Sequence, residues 1–387
     1  MSPLEEILKA NTPLSIKEFM ELALTHEAHG YYILQKPIGD EGDFTTAPEV
    51  SQMFGELIGL WAVNIWEQMG RPKVFKWVEL GPGRGTLLKD ALRITSQISE
   101  FRDALWFSCV EVNPYFRELQ EGILKQFQND NKGKLFIQNR HAKLVSGSRN
   151  RGMNNLEPSP ELSTLFYTSW QDCFHDLKKD DTPFVMIANE FLDTLPIHQY
   201  VHKDQEWYER HVVFQNNEWG FEDLKSEVDK HNIIPTLEGD PENKVFEICL
   251  EAQDLIQSLS KILTTKTGAV LLLDYGYKEG HGESLQALHK GNPVSPLSHI
   301  GMADLTAHVD FGALKKIAPT ANGPVTQSEF LHNLGIVEWK EKLRSKSTLP
   351  MNASLEAQYH RLTHPLQMGH LFKVMALTSP QIQPLGF

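Results

Sequence analysis

Two periodicities share this chain. In the first seventy residues apolar side chains recur at helical spacing. Ile16, Phe19, Met20, Ala23 and Leu24 fall on one face, and Ser15 with Glu18 forms a capping box ahead of them. Thr46-Ala47-Pro48-Glu49 reads as a second box, with Pro48 in the first turn, where its missing N–H is harmless. The stripe behind it is Met53, Phe54, Leu57, Ile58, Trp61 and Ile65. Trp61 and Trp66 on that helix suit either a core or a homodimer interface. After Arg71-Pro72 the pattern becomes short apolar runs between helical stretches: VFKWVEL, LWFSCVEV, LSTLFYTSW, PFVMIANE and GAVLLLDYGY. Strands separated by helices imply right-handed crossovers, so the pattern predicts an α/β fold with a mostly parallel, twisted sheet flanked by helices. FKVMALT near the end reads as an edge or antiparallel strand.

Two stretches interrupt the alternation. His198 to Phe221 alternates in strand fashion around Asp204-Gln205 and Asn216-Asn217, as a hairpin or meander would. Glu283 to Asp310, rich in Gly, His and Pro, reads as a loop, and the polar segment 139–160 as a mobile one. The expected division is a helical region over 1–70 and a second unit over 71–387, with β/loop insertions near 197–245 and 278–312.

The glycines change the picture from fold to chemistry. Gly81, Pro82, Gly83 and Gly85 sit between a strand and a helix carrying Leu87, Leu88, Ala91 and Leu92. Glycines permit a sharp turn and close backbone approach to a ligand, although such turns also occur with nothing bound. The spacing is GxGxG, and Glu79 stands two residues before the first glycine. A carboxylate there repels a pyrophosphate, which disfavours a nicotinamide dinucleotide. It suits a cofactor with a cationic amino-acid part and no phosphate, as in S-adenosyl-L-methionine. Glu111 ends the next strand, where an acid accepts hydrogen bonds from ribose hydroxyls; otherwise it is a solvated loop acid.

More carboxylates follow at other strand ends. Asn189, Glu190 and Asp193 should face the crevice outside the carboxyl ends of a parallel sheet. Paired carboxylates suit the planar donor fork of a guanidinium, although either acid could instead cap the next helix. Asp274 ends another strand and is a weaker candidate for substrate contact, the alternative being a turn acid. His308 could line the substrate site or accept a proton, and Asp310 reads as the cap of a helix bearing Phe311, Leu314 and Ile317. The Gly42–Thr46 segment, with Asp43, could fold over the cofactor as a lid.

Composition narrows the class. A net charge of −13 disfavours nucleic acid as a partner, because neutralising phosphates needs a basic face. Cys109, Cys173 and Cys249 are far apart, which argues against a disulfide framework or a zinc site. No apolar run is long enough for membrane insertion, and the N-terminus shows neither signal nor transit character. A cytoplasmic location is expected.

Several segments together resemble one family, the MidA-like proteins. They are HEAHGYY (26–32), GDFTTAPEVSQMFGE (42–56), VELGPGRGTL (78–87), NEFLDTLPIHQY (189–200), DYGY (274–277), DLTAHVDF (304–311) and MGHLFKVMAL (368–377). These are class I S-adenosylmethionine-dependent methyltransferases, related to the mitochondrial arginine methyltransferase that assists assembly of respiratory complex I. The resemblance implies a Rossmann-like methyltransferase sheet with a helical N-terminal region. It implies S-adenosyl-L-methionine at Gly81, Gly83, Gly85 and Glu111, and a protein arginine acceptor, such as one on a complex I subunit. The resemblance and the missing transit segment together suggest a bacterial member. Glu283 to Leu288 departs from the family's GTLRAY-like stretch, and the loop before DLTAHVDF lacks the usual proline-glycine. Both changes lie on the expected substrate side and give some support to a second reading, a non-catalytic assembly chaperone that keeps the fold.

Overall fold

The computed structural model describes residues 2–34, 45–131, 135–140, 162–226, 244–280, 282–345 and 348–387. Its centre is a nine-stranded sheet. Along the main path the strands run 322–326, Phe372–Thr378, Gly268–Tyr277, Phe184–Asn189, Phe75–Leu80, Leu105–Val110, Leu162–Tyr167, Leu135–Arg140. The six from 268–277 to 135–140 are mutually parallel. This mostly parallel α/β sheet is the architecture that the apolar runs predict. All ten residues of GAVLLLDYGY belong to one strand, and the first nine are buried, as befits a strand covered on both faces.

FKVMALT pairs antiparallel with 268–277, but it is not the edge. Asn322–Thr326 lies outside it and takes that place. Gly323 and Pro324 hid this strand in the sequence; both residues are tolerated at a sheet edge, where one backbone face needs no partner.

Helices cover both faces. On one face, helix Gln52–Gln68 packs against helix Thr86–Thr95 so closely that a Cβ on Gly59 would stand 2.9 Å from the Ala91 Cα. Trp61 and Trp66 are 1% and 2% exposed, so they belong to this core and offer no dimer surface. On the other face, helices Trp170–Leu177, Leu250–Leu263 and Phe311–Ile317 bury Phe174, Leu255, Leu259 and Phe311. Asp310 caps the last of these, its Oδ1 accepting the Ala313 N–H, as the sequence suggests.

The Ser15–Glu18 capping box forms as read. The second box does not. Thr46 makes no side-chain cap bond, and its helix runs only from Ala47 to Val50. Ser51 breaks the chain into extended geometry and caps the long helix itself, accepting the Met53 N–H. Glu49 is thereby released from capping and turns elsewhere.

The meander is present: His198–Lys203, Glu206–Gln215 and Glu218–Lys225 pair antiparallel. Its turns, Asp204-Gln205 and Asn216-Asn217, have positive φ at both central residues, the geometry that matches strand twist in two-residue hairpins. Leu14 and Ser15 pair with strand Glu206–Gln215, and Val245–Ile248 pairs with strand His198–Lys203. The 283–310 stretch is no simple loop. Gln286–His289, Asn292–Val294 and Asp304–Thr306 form a three-stranded sheet, and short strands joined by His- and Pro-rich turns carry too little periodicity to announce themselves. Helix Ile16–Thr25 packs on both small sheets through Ile16, Phe19, Met20 and Leu24. Of the segment read as mobile, Asn139 and Arg140 belong to a sheet strand, and 141–160 lies outside the described residues.

Candidate active site

The strand Phe75–Leu80 has the later strand 184–189 on one side and 105–110 on the other. The chain order reverses there, and the crevice outside the strand ends is the place where such sheets bind ligands. A cavity of about 460 Å³ opens at this point. Gly81, Gly83, Glu111, Glu190, Asp193 and Thr46 line it, with Met20, Glu21, Leu24 and Tyr32 contributed by the N-terminal helices and Asp304 by the small sheet. Gly81, Gly83 and Gly85 all have positive φ, which explains the three glycines of the turn.

Glu111 is fastened. Its Oε2 accepts the Gly83 N–H at 3.1 Å and its Oε1 accepts the Asn113 N–H at 2.9 Å. Gln120 closes the group, donating to the Gly83 carbonyl at 2.6 Å and to Glu111 Oε2 at 3.3 Å. Burial outweighs these donors and pushes the Glu111 carboxyl up to about 7. Glu111 is therefore no solvated loop acid; it is 7% exposed and joined to the glycine turn.

Glu79 lies beside the main cavity, in a smaller cleft of about 50 Å³ lined also by Gly81, Pro82, Arg84, Asn189 and Glu190. It is 3% exposed, and its Oε2 has no hydrogen-bond partner. Burial, with the Glu111 charge adding to it, raises Glu79 to about 8. Asn189 Oδ1 is likewise buried and unpartnered. Two orphaned acceptors beside a glycine turn fit the ammonium of an S-adenosyl-L-methionine amino-acid end, so the donor set present suits that cofactor.

Glu190 has a left-handed backbone, φ +51, unusual for a residue other than glycine. Its N–H donates to the Leu273 carbonyl, and its Oε1 accepts from the Ala47 N–H at 3.0 Å and the Asn189 amide at 3.1 Å. Burial, against the Ala47 N–H and aided by Asp193, raises Glu190 to about 8. Asp193 is 5% exposed, its Oδ1 lacks a full hydrogen-bond partner, and burial raises its carboxyl too. Neither acid caps the 3-10 turn Leu192–Thr194. Asp274 does, its Oδ2 taking the N–H groups of Phe191, Leu192 and Asp193 at 3.2, 2.9 and 3.2 Å.

Asp274 therefore shapes the site from behind and does not line the cavity. His308 does not line it either; its ring packs edge-on against Tyr275 and tilted against Tyr277, at 5.4 and 5.0 Å. Asp43 lies outside the described residues, as does most of the 42–46 segment. Gly85 borders neither cavity and instead N-caps helix 86–95 in left-handed geometry.

The sequence reading missed Tyr32, Tyr275 and Asp304. Tyr32 Oη bonds both Asp304 oxygens, at 2.8 and 2.9 Å, and burial with the Asp304 charge keeps that phenol protonated far above its ordinary value. All three stand in the quoted family segments, the only signal that could have found them. Glu49 and Arg84 were missed as well; both border the smaller cleft.

The wall of the main cavity carries six acids, Glu21, Glu111, Glu190, Asp193, Glu251 and Asp304, and no Lys, Arg or His among the described residues. Such a site favours cations. It also sets the pH dependence. Glu79, Glu111 and Glu190 hold protons in the folded state that the unfolded chain releases near pH 4.5. Their contribution to stability is present below that value and is lost as pH rises through about 8. The ligand-free protein should therefore melt progressively lower from pH 6 to 8.5 in a calorimetric series. A flat or rising curve would show that these carboxyls titrate normally.

A sequence-family profile described as an S-adenosyl-L-methionine-dependent methyltransferase matches residues 57–330. The chain is 32% identical over 377 residues to the mitochondrial protein arginine methyltransferase NDUFAF7 of Danio rerio, spanning 95% of this chain and 84% of that one. It is 32% identical to the Homo sapiens protein of that name, spanning 97% and 82%. A Burkholderia thailandensis protein crystallised with S-adenosyl-homocysteine superposes with a TM-score of 0.73 over 99% of this chain and 92% of that one, at 20% identity; at that identity the likeness concerns the fold, a Rossmann-like methyltransferase sheet. One expectation is corrected. These curated relatives are mitochondrial, which overturns the cytoplasmic location read from the N-terminus.

Proposed function

We propose, from the premise that this chain belongs to the family of S-adenosyl-L-methionine-dependent methyltransferases, that it methylates an arginine side chain of a protein. The observation that carries the acceptor is the acidic cavity wall, which has no cation among the described residues. A respiratory complex I subunit, the partner the family resemblance implies, is the acceptor protein proposed.

When bound, the cofactor supplies a methyl group made electrophilic by its sulfonium. The chain's residues do the rest. Gly81, Pro82, Gly83 and Gly85 form the turn that admits its amino-acid end, with Glu79 and Asn189 as acceptors for the ammonium. Glu111, held rigidly by Gly83 and Asn113, takes the ribose. Glu190 and Asp193 position the guanidinium, Oε1 of Glu190 being already engaged and Oε2 left for the acceptor. Arginine's pKa of about 12.5–13.8 makes prior deprotonation costly. Holding its nitrogen in line with the methyl is the larger contribution; the guanidinium charge drives the proton off Glu190 on binding, and the carboxylate, with its pKa raised to about 8 in the folded chain, then receives the proton that methylation releases. Tyr275 and the Tyr32–Asp304 pair complete the wall. His308, packed edge-on against Tyr275, acts through that ring.

The departure at 283–288 is built into the scaffold. Ser284 binds Glu247 and accepts the His308 N–H at 2.8 Å. The test is methyl transfer from labelled cofactor to matched peptides containing arginine or lysine, with amino-acid analysis of the product. Label in methylarginine is expected. Label in methyllysine would replace the acceptor, and client binding without any label would favour the chaperone reading.

A further inference from the structure

Arg84 is the one cationic side chain lining either cavity at the glycine turn, among the described residues. It sits between Gly83 and Gly85, and its side chain is 39% exposed. Its partner is Glu49, with Nη1 to Oε2 at 3.5 Å, a loose ion pair. The other Glu49 oxygen accepts the Thr86 hydroxyl. Thr86 opens helix Thr86–Thr95, a ten-residue helix whose N-terminus carries no side-chain cap. A cation, a free helix N-terminus and one carboxylate bridging them therefore meet at the small cleft. The same cleft is lined by Glu79, whose buried Oε2 has no hydrogen-bond partner and is an acceptor suited to a cation.

This is the charge pattern that complements a free α-amino acid: an acceptor for the ammonium on one side, and donors for the carboxylate on the other. Glu49 occupies the donor side in this structure. We propose that Arg84, with Thr86 at the helix start, binds the carboxylate of the cofactor's methionine end, and that this carboxylate displaces Glu49. The inference rests on the methyltransferase reading above and adds to it a residue, an exchange and a consequence.

The consequence follows from where Glu49 sits. Its helix spans only Ala47 to Val50. The Ala47 N–H at the start of that turn is held by Glu190 on the acceptor side. One turn of helix is thus tied to the cofactor side through Glu49 and to the acceptor side through Ala47. Releasing Glu49 removes one of the two ties and leaves the Glu190 contact to position the turn.

The experiment is calorimetric binding to the whole protein, using S-adenosyl-homocysteine and 5′-methylthioadenosine as probes. The second keeps the nucleoside and lacks the amino-acid end. Arg84→Met should weaken S-adenosyl-homocysteine by about ten- to a hundredfold, the range for a hydrogen-bonded charge, and leave 5′-methylthioadenosine unchanged. Arg84→Lys should recover part of the loss. Glu49→Gln should bind S-adenosyl-homocysteine a few-fold tighter than wild type, because the competing carboxylate is gone; a merely structural Glu49 would give weaker binding or none of this gain. Equal loss of both probes in Arg84→Met, or no loss, overturns the carboxylate assignment while leaving the cofactor site standing. Unchanged or weaker binding in Glu49→Gln overturns the exchange. A wild-type protein that binds neither probe overturns this inference and the methyltransferase site together.

Discussion

Glu190→Gln is expected to lower methyl transfer by about two to three orders of magnitude while S-adenosyl-homocysteine affinity stays within about threefold of wild type. The size follows from what loss of one preorganised electrostatic group costs a transition state. The selectivity follows from geometry. Glu190 reaches the cavity from the end of strand Phe184–Asn189 with a left-handed backbone, and its Oε1 is held by Ala47 and Asn189. Glutamine keeps the shape and one acceptor oxygen but loses the charge that faces the acceptor. The variant should also flatten the decline in melting temperature between pH 6 and 8.5, since it removes one of the carboxyls raised to about 8. Steady-state rates and calorimetric affinities on the same preparation decide the matter. Equal loss of both would put Glu190 in the cofactor site.

Gly85→Val should remove cofactor binding almost entirely, by about a hundredfold or more. Gly85 has φ +75, a conformation that costs a β-branched residue roughly 1–2 kcal/mol in backbone strain alone. Its new side chain would also meet Ile123 Cδ1 at 2.8 Å and Gln120 Cγ at 3.4 Å. Ile123 can move. Gln120 cannot move freely, because its amide holds the Gly83 carbonyl and Glu111 Oε2 together. Strain at one glycine therefore reaches both the turn and the carboxylate proposed for the ribose. A thermal melt with and without S-adenosyl-homocysteine reads the outcome; a ligand at a hundred times its dissociation constant adds about 2.7 kcal/mol in the wild type. A variant that melts as a folded protein and still shows the full ligand shift would mean that this turn does not hold the cofactor.

Much of the site was legible because it is local. Glu79, Gly81, Gly83 and Gly85 lie within seven consecutive positions, and the spacing itself separates this turn from a dinucleotide one. Glu111 and Glu190 follow from one further rule, that functional groups gather at the carboxyl ends of parallel strands. Asp274 obeys the same rule, which leaves it open between substrate contact and a turn acid. Strand ends also need caps, and only the placement of Phe191, Leu192 and Asp193 beside it shows that it serves as one. Glu49 is the converse case. Its spacing from Thr46 fits a capping box, yet the helix is interrupted at Ser51 and the carboxylate finds Thr86 and Arg84 instead.

The chain's own pattern determined the parallel sheet, the meander with its two positive-φ turns, and the strand–glycine–helix unit at its centre. Each depends on interactions between residues close in sequence, or on periodicity that any buried strand or helix must display. The tertiary structure alone decided which carboxylates share the cavity. Tyr32 and Asp304 are 272 positions apart, and Ala47 and Glu190 are 143 apart. No local preference encodes such pairs; they form because helix 16–25 buries its apolar face against the two small sheets, which brings Tyr32 and Asp304 to the cavity that the central strand ends line with Glu111, Glu190 and Asp193.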